Sequence, residues 1–257
     1  MVKIHSTAII DPKAQLSDDV IIGAYSIIGP NVKIDVGCQV GNHVVITGHT
    51  TIGKNNKFYH FSSIGEAPQD KKYAGEPTEL IIGNDNTLRE FITMNTGSID
   101  GGGITRVGNN NWLMAYVHIA HDCMVGNNTI MANNSTLGGH VTIQDWVILG
   151  GMTAVHQFST IGAHAMTAGG TIVRQDIPPY VMCSPEGEPK GINIEGLKRR
   201  GFTPLQIDNI RNAYKVLFRN DLLYSEAKSQ IFMLAETQPE LKAFLEFFEV
   251  SQRSIIR

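Results

Sequence analysis

The sequence predicts a mainly β chain: a parallel β-helix of hexapeptide repeats, followed by a small α-helical domain. From Ile4 to Ile64 every sixth residue is apolar, which makes eleven consecutive matches without a slip. After interruptions at about 66–80 and 99–104 the same period resumes and continues to Val173. A period of six fits neither an α-helix nor an alternating strand, and it is typical of hexapeptide coils.

Each hexapeptide is expected to supply one short strand and one corner, so that three of them close a coil. Residues 18 apart then stack at the ~4.8 Å spacing of neighbouring strands. The apolar residue fills the axis, and a small or β-branched residue four positions later packs beside it. Ile119, Leu137 and Val155 differ by 18 and are therefore predicted to lie on one face of successive coils.

The helical domain is predicted from the end of the sixfold pattern at about residue 192. Thr203, Pro204 and Gln206 form a helix start, with an N-cap, a proline in the first turn and a capping-box glutamine. Apolar residues then recur at helical spacing. We assign residues 1–190 to the β-helix and residues 191–257 to the helical domain, which is expected to cover the open end of the coil.

Composition limits the class of protein. Apolar residues make up 42% and charged residues 18%, with a net charge of −3, which excludes a disordered chain and a generally basic nucleic-acid coat. No apolar run approaches the ~20 residues of a membrane span, and no signal peptide is recognised, so a cytoplasmic protein without stable membrane insertion is expected. Cys38, Cys123 and Cys183 share no short spacing, which argues against disulfides and a thiolate zinc site.

Four of the nine histidines are predicted to line one vertical edge of the β-helix. His121, His140 and His156 follow the stacked residues Ile119, Leu137 and Val155 by one to three positions, and His118 precedes the same column. Imidazole serves both as a general base and as a zinc ligand. A transferase and a zinc-dependent hydratase therefore both remain open from the residues alone, as does a non-catalytic assembly module. The other histidines, His164 among them, are expected at the surface or at subunit contacts.

The segment from Lys190 to Arg219 carries a local basic charge. It holds seven basic residues against two acidic ones, on a chain whose net charge is negative. Such a patch attracts anionic partners, and a nucleoside diphosphate and an acidic carrier protein both qualify.

Four motifs in order, at 69–78, 118–123, 150–158 and 193–202, give the chain its resemblance to a known family. They read QDKKYAGEPT, HIAHDC, GGMTAVHQF and NIEGLKRRGF. The sequence resembles the acyl-[acyl-carrier-protein]–UDP-N-acetylglucosamine O-acyltransferases, which catalyse the first step of lipid A biosynthesis. This resemblance implies a left-handed β-helix, a homotrimer, and acyl carrier protein and UDP-N-acetylglucosamine as partners. It implies neither a cofactor nor a metal. The related N-acyltransferase is disfavoured, because its extra N-terminal domain is not expected in this chain.

The resemblance also implies roles for individual residues. His121 is expected to be the general base that deprotonates the sugar 3-hydroxyl, a task suited to the ordinary histidine pKa of about 6.5. Asp70 is expected to orient His121, and the N–H of Gly139 to stabilise the oxyanion. Gly169 corresponds to the position that limits acyl-chain length, and a glycine there implies a long groove. The implied substrate-positioning residues are Lys72, His118, His140, His156 and Gln157, and the nucleotide-contacting ones are Asn193, Glu195, Arg199 and Arg200.

Overall fold

The computed structural model describes residues 2–257, and its first part is a prism of three parallel sheets wound from one strand to the next. The first sheet contains Lys3–Ile4, Ile21–Ile22, Gln39–Val40, Lys57–Phe58, Thr87–Leu88, Trp112–Leu113, Ile130–Met131, Ile148–Leu149, Met166–Thr167, Val181–Cys183 and Pro189–Ile192. The second contains Ile9–Ile10, Ile27–Ile28, Val45–Ile46, Ser63–Glu66, Thr93–Asn95, His118–Ile119, Thr136–Leu137, Ala154–Val155 and Ile172–Val173. The third contains Gln15–Leu16, Lys33–Ile34, His49–Ile52, Glu79–Ile82, Ile104–Val107, Met124–Val125, Thr142–Ile143 and Thr160–Ile161.

The predicted 18-residue register is present along the coil. Ile119 pairs with Leu137, which pairs with Val155. Two loops interrupt the register where the sequence pattern lapses: Ile64 pairs with Met94, 30 residues on, and Met94 pairs with Ile119, 25 residues on. The first interval is a multiple of six and preserves the hexapeptide phase. The second is one residue longer than a multiple of six, which explains the phase shift in the sequence.

The periodic apolar residues form the axis of the prism, and almost all of them are buried. Ile4 is the clearest exception, with 45% of its surface exposed, because it lies in the first coil and no further coil covers it. Cys38 and Cys123 occupy small-residue positions and are fully buried, as expected. Burial raises the pKa of the Cys123 thiol to about 12, so the thiol stays protonated.

Buried asparagines link successive coils at the corner between the third and first sheets. The Nδ2 of Asn86 donates to the Oδ1 of Asn56 at 2.9 Å and to the carbonyl of Gly108 at 2.9 Å. The Oδ1 of Asn86 in turn accepts from the N–H of Asn111 at 2.9 Å. Each amide satisfies backbone groups that the tight corner leaves without partners.

The helical domain consists of four α-helices and a 3₁₀ turn. They are α1 (Ile194–Arg199), α2 (Pro204–Phe218), α3 (Tyr224–Ala235), the turn Pro239–Leu241 and α4 (Lys242–Val250). The predicted capping box at Thr203 and Gln206 is present at the start of α2. The last β-helix strands, Val181–Cys183 and Pro189–Ile192, form an antiparallel hairpin before α1.

The fully buried carboxylate of Asp176 fastens the chain's end to the coil. It accepts from the N–H of Thr160 at 2.7 Å, from the hydroxyl of Ser251 at 2.7 Å and from the N–H of Arg253 at 3.1 Å. The predicted fold class, a parallel β-helix with a C-terminal helical domain, is confirmed. The division at residue 190 stays a prediction.

Replacing Asn86 by alanine should destabilise the coil. The change leaves the Asn111 N–H and the Gly108 carbonyl buried without partners, so we expect a loss of about 3 kcal/mol in the free energy of unfolding. The urea midpoint of Asn86→Ala, measured by circular dichroism, checks this value. Asn31→Ala is the control because Asn31 is exposed. Equal midpoints for the two variants would contradict the proposed contribution of the asparagine ladder.

Candidate active site

The corner between the second and third sheets brings together the expected histidines. It is called here the histidine corner, and its turn residues Asp122, His140 and Phe158 lie one coil apart with φ near +60°. The rings of His121 and His140 meet edge to face at 5.2 Å, and His140 stacks on Phe158 at 4.4 Å. The 18-residue register therefore places these side chains in one column, as the sequence predicts.

The central contact of the histidine corner joins the Nδ1 of His121 to the Oδ2 of Asp122, at 2.8 Å. The side chain of Asp122 is 1% exposed and that of His121 is 15% exposed. The carboxylate also accepts from the hydroxyl of Ser98 at 2.6 Å and from the Ser98 N–H at 2.9 Å. The two donors of Ser98 hold the carboxylate in place, and its contact with Nδ1 orients the imidazole.

The structure has Asp122, and not Asp70, at Nδ1 of His121, and the role expected of Asp70 stays a prediction. Asp70 lies in the first loop, where its carboxylate accepts from the N–H of Lys72 at 3.0 Å. No hydrogen bond joins Asp70 to His121 within residues 2–257, and the carboxylate that holds Nδ1 is Asp122. Asp70 was chosen by the resemblance. Asp122 adjoins His121 in the chain, but adjacency alone did not show that the turn points its carboxylate back at the ring.

The remaining histidines surround this pair. The Nδ1 of His118 lies 2.7 Å from the hydroxyl of Thr93, and burial, helped by the charge of His121, lowers the pKa of His118. Burial also lowers the pKa of His140. His156 and Gln157 are exposed one coil further on. Neutral imidazoles at neutral pH can both donate and accept hydrogen bonds, which suits them to polar substrate groups.

Gly139 lies against the other edge of the His121 ring. A Cβ built on Gly139 would fall 2.6 Å from Cε1 and 2.8 Å from Nε2 of His121, so only glycine fits there. Gly139 is buried, and among residues 2–257 nothing accepts from its N–H. At the equivalent turns of the asparagine corner the N–H groups are capped, as in Asn109 N–H to Asn127 Oδ1 at 2.8 Å. The structure thus leaves a donor open beside Nε2 of His121.

His121, Asp122 and His140 also form a three-residue cluster with possible metal-ligand atoms within 4.8 Å of one another. The Nε2 of His140 is 3.7 Å from Oδ2 of Asp122. That oxygen already accepts from Ser98 and lies within hydrogen-bond distance of His121, so its lone pairs are engaged. A metal would have to displace these donors, and the geometry favours a hydrogen-bonded pair.

Helix α1 carries the four expected nucleotide-contacting residues, in different environments. Asn193 is the N-cap, and its Oδ1 accepts from the N–H of Gly196 at 3.0 Å while its buried Nδ2 has no partner among residues 2–257. Glu195 pairs with Lys198 at the surface, and Arg199 is exposed. The guanidinium of Arg200 makes its contacts within the fold, and the nucleotide-contacting roles of all four residues stay predictions.

Arg200 joins α1 to the β-helix. It donates to Nδ1 of His164 at 3.0 Å and to the carbonyl of Trp146 at 2.9 Å, and it lies over the Trp146 ring. His164 is stacked between Trp146 and Tyr180. Burial, and secondarily the charge of Arg200, lowers the pKa of His164 to about 4. His164 is only partly exposed, because the column of stacked rings and α1 cover part of it. Its expected place at the surface or at a subunit contact stays a prediction.

Gly169 lies at the corner between the first and second sheets. A Cβ there would meet only the carbonyl of Gly151, at 3.4 Å, and Gly169 is exposed. The strand that follows, Ile172–Val173, belongs to the same sheet as His118–Ile119. A side chain at Gly169 would therefore project into open space beside the second sheet. The opposite edge of that sheet forms the histidine corner.

Comparison with known proteins decides the family. The model of bacterial transferase hexapeptides (six repeats) matches residues 1–35 and 104–139, and the model of UDP N-acetylglucosamine O-acyltransferase, domain 2, matches residues 176–256. The acyl-[acyl-carrier-protein]–UDP-N-acetylglucosamine O-acyltransferase of Neisseria gonorrhoeae is 55% identical over an alignment of 258 positions that covers 100% of both chains. The chain belongs to this acyltransferase family. The enzyme of the same name from Herminiimonas arsenicoxydans is 56% identical over 99% of both chains.

Solved structures of the acyltransferase family agree along the whole chain. The UDP-N-acetylglucosamine acyltransferase of Francisella novicida has a TM-score of 0.97 at 41% identity, and the match covers 99% of this chain and 94% of that one. The Acinetobacter baumannii structure has a TM-score of 0.96 at 44% identity, covering 99% of both chains. The resemblance seen in the four sequence motifs is confirmed. None of the helices within residues 2–257 has the length and apolar character needed to cross a membrane.

The low pKa of His164 predicts a pH-dependent stability. Because its folded pKa lies below the ordinary 6.5, the unfolded chain binds more protons in between, so stability falls as pH drops from about 6.5 towards about 4. The full loss is about 3 kcal/mol. His164→Gln keeps an acceptor for Arg200 but cannot be protonated, and its stability should depend less on pH in this window. Urea midpoints from pH 7 to pH 4 measure the effect, with the exposed His49→Gln as control. Parallel pH dependence in wild type and His164→Gln would contradict it.

Proposed function

We propose that the chain transfers a 3-hydroxyacyl group from acyl carrier protein to the 3-hydroxyl of UDP-N-acetylglucosamine, in the first step of lipid A biosynthesis. Membership in the acyltransferase family supports the substrates. The observation that carries the chemistry is the His121–Asp122 pair beside the open N–H of Gly139. A base and an oxyanion donor within one corner are what direct acyl transfer requires.

In the proposed reaction the Nε2 of His121 takes the proton of the sugar 3-hydroxyl, while the Nδ1–H of His121 stays hydrogen-bonded to Asp122. The sugar oxygen attacks the thioester carbonyl, whose oxygen becomes an oxyanion facing the Gly139 N–H. The tetrahedral intermediate then collapses: the C–S bond breaks, and the imidazolium returns its proton to the departing thiolate. The products are the sugar ester and the carrier thiol, and the reaction draws on no cofactor or metal.

The substrate-positioning residues are proposed around this pair. His118, His140, His156 and Gln157 would contact the sugar and the acyl carbonyl from the column, and Lys72 with Asp70 from the first loop. Asn193, Glu195 and Arg199 would contact the nucleotide. The buried Nδ2 of Asn193, which lacks a partner among residues 2–257, supports its place in this set.

The acyl chain is proposed to lie along the second sheet. Exposed apolar side chains lie between the histidine corner and Gly169, with Met152 at 69% in the turn before Ala154–Val155 and Ile172 at 54% on the sheet itself. An alkyl chain would bury this surface, at roughly 0.8 kcal/mol per methylene. Gly169, where a side chain would meet open space, would set the length limit.

A homotrimer in the cytoplasm completes the proposal. Exposed apolar residues continue along the coil faces, among them Ile9 at 63% and Trp112 at 44%. Contact between copies would cover such residues and enclose the histidine corner. The basic residues between Lys190 and Arg219 suit an acidic carrier protein.

Acyl transfer assays test the catalytic pair. With UDP-N-acetylglucosamine and 3-hydroxyacyl carrier protein, His121→Ala should lower kcat roughly a thousandfold, as expected for loss of a general base. Because Asp122 and not Asp70 contacts Nδ1, Asp122→Asn should lower kcat more than Asp70→Asn. Light scattering of each variant checks that assembly is unchanged. Full activity of a folded His121→Ala variant would refute the mechanism and favour a non-catalytic scaffold.

A second assay tests the acyl groove. Gly169→Met should shift the preferred donor to a shorter chain, because the new side chain occupies the end of the groove. Competing carrier proteins with 3-hydroxyacyl chains of several lengths give the preference directly. Gln39→Met adds the same side chain at an exposed position on the first sheet and should leave the preference unchanged. An unchanged preference in Gly169→Met would remove Gly169 from the groove.

A further inference from the structure

We propose that Ser98 is a positioning residue for the His121–Asp122 pair, and that the loop 96–103 serves to hold it there. The inference rests on the proposed function, since it assigns Ser98 a part in that same site. The sequence marks this loop only by an interruption of the hexapeptide period and a run of glycines.

Ser98 engages both oxygens of the Asp122 carboxylate. Its hydroxyl donates to Oδ2 at 2.6 Å and its N–H donates to Oδ1 at 2.9 Å. Oδ2 is also the oxygen that holds Nδ1 of His121, at 2.8 Å. Two donors from one residue fix the rotation of the carboxylate. The imidazole can then contact Oδ2 in only one orientation. The Nε2 of His121 is thereby kept beside Gly139.

The conformation of the loop is built around this contact. Ser98 precedes the 3₁₀ helix Ile99–Gly101 as its N-cap, yet its hydroxyl makes no capping bond. Serine at an N-cap ordinarily uses its side chain to cap its own helix. Here the hydroxyl is directed to Asp122 and donates to it. Gly101 leaves room for the Asp122 carboxylate, because a Cβ there would lie 2.2–2.5 Å from the carboxylate atoms.

The Ser98 hydroxyl also determines how much of the carboxylate's charge acts on the imidazole. Oδ2 shares its negative charge between the Ser98 hydroxyl and His121. The other titratable groups that act on this corner are His118, His140 and, from the first loop, Asp70. Without the hydroxyl, more of the carboxylate's charge stabilises the imidazolium. The base would then be protonated at a higher pH and held less rigidly.

The test is the pH–rate profile of Ser98→Ala in the complete enzyme. We expect kcat about tenfold lower, KM for both substrates within about twofold, and an acidic limb about half a pH unit higher. Ser98→Thr, which keeps the hydroxyl, should recover most of kcat and the original limb. Ser135→Ala is the matched control, since Ser135 is a buried serine that donates only to the carbonyls of Ala132 and Gly150.

A double-mutant cycle makes the assignment specific. If Ser98 acts through Asp122, Ser98→Ala should have little further effect in an Asp122→Asn background. An equal fall in that background, an unshifted limb, or a loss matched by Ser135→Ala would overturn the proposal while leaving the proposed function intact. A wild-type enzyme that transfers no acyl group would overturn the proposed function itself.

Discussion

The 18-residue strand register is the constraint on which the rest of the molecule depends. Backbone hydrogen bonds between coils hold residues such as Ile119, Leu137 and Val155 one coil apart on the same face. This backbone register places the side chains of the following corner one above another, whether or not they attract each other. A histidine column on one coil edge is therefore a consequence of backbone geometry. Its members need only occur at the right positions in the sequence.

The same constraint leaves backbone N–H and carbonyl groups at the corners without strand partners, and two corners of the coil treat these groups differently. At the asparagine corner, amides such as those of Asn86 and Asn111 satisfy N–H and carbonyl groups from coil to coil. At the histidine corner the pattern is interrupted, and the buried N–H of Gly139 is left open beside His121. A backbone N–H at a corner can thus be paired, which stabilises the coil, or left open for catalysis. The side chains around each corner determine which of the two occurs.

Loops and helices contribute where the coil alone cannot. The loop 96–103 brings Ser98 onto Asp122, and the first loop brings Asp70 close enough for its charge to act on His140. Helix α1 is fastened to the coil by Arg200, which donates to His164 and to the carbonyl of Trp146. Each of these contacts joins residues more than 20 apart in the sequence, and none of them follows from the hexapeptide period.

The sequence by itself determined the repeat, the register, the two loop positions, the capped start of α2 and the histidine column, because each depends on local spacing. The family resemblance added His121 and Gly139 as expected site residues, and the structure places Gly139 beside the His121 ring. Only the tertiary structure decided that Asp122 contacts Nδ1 of His121, that Arg200 donates to His164, and that His164 is half-buried between stacked rings. These outcomes depend on turn conformation and on packing between distant segments, where a side chain's direction is set by its neighbours and not by its place in the repeat.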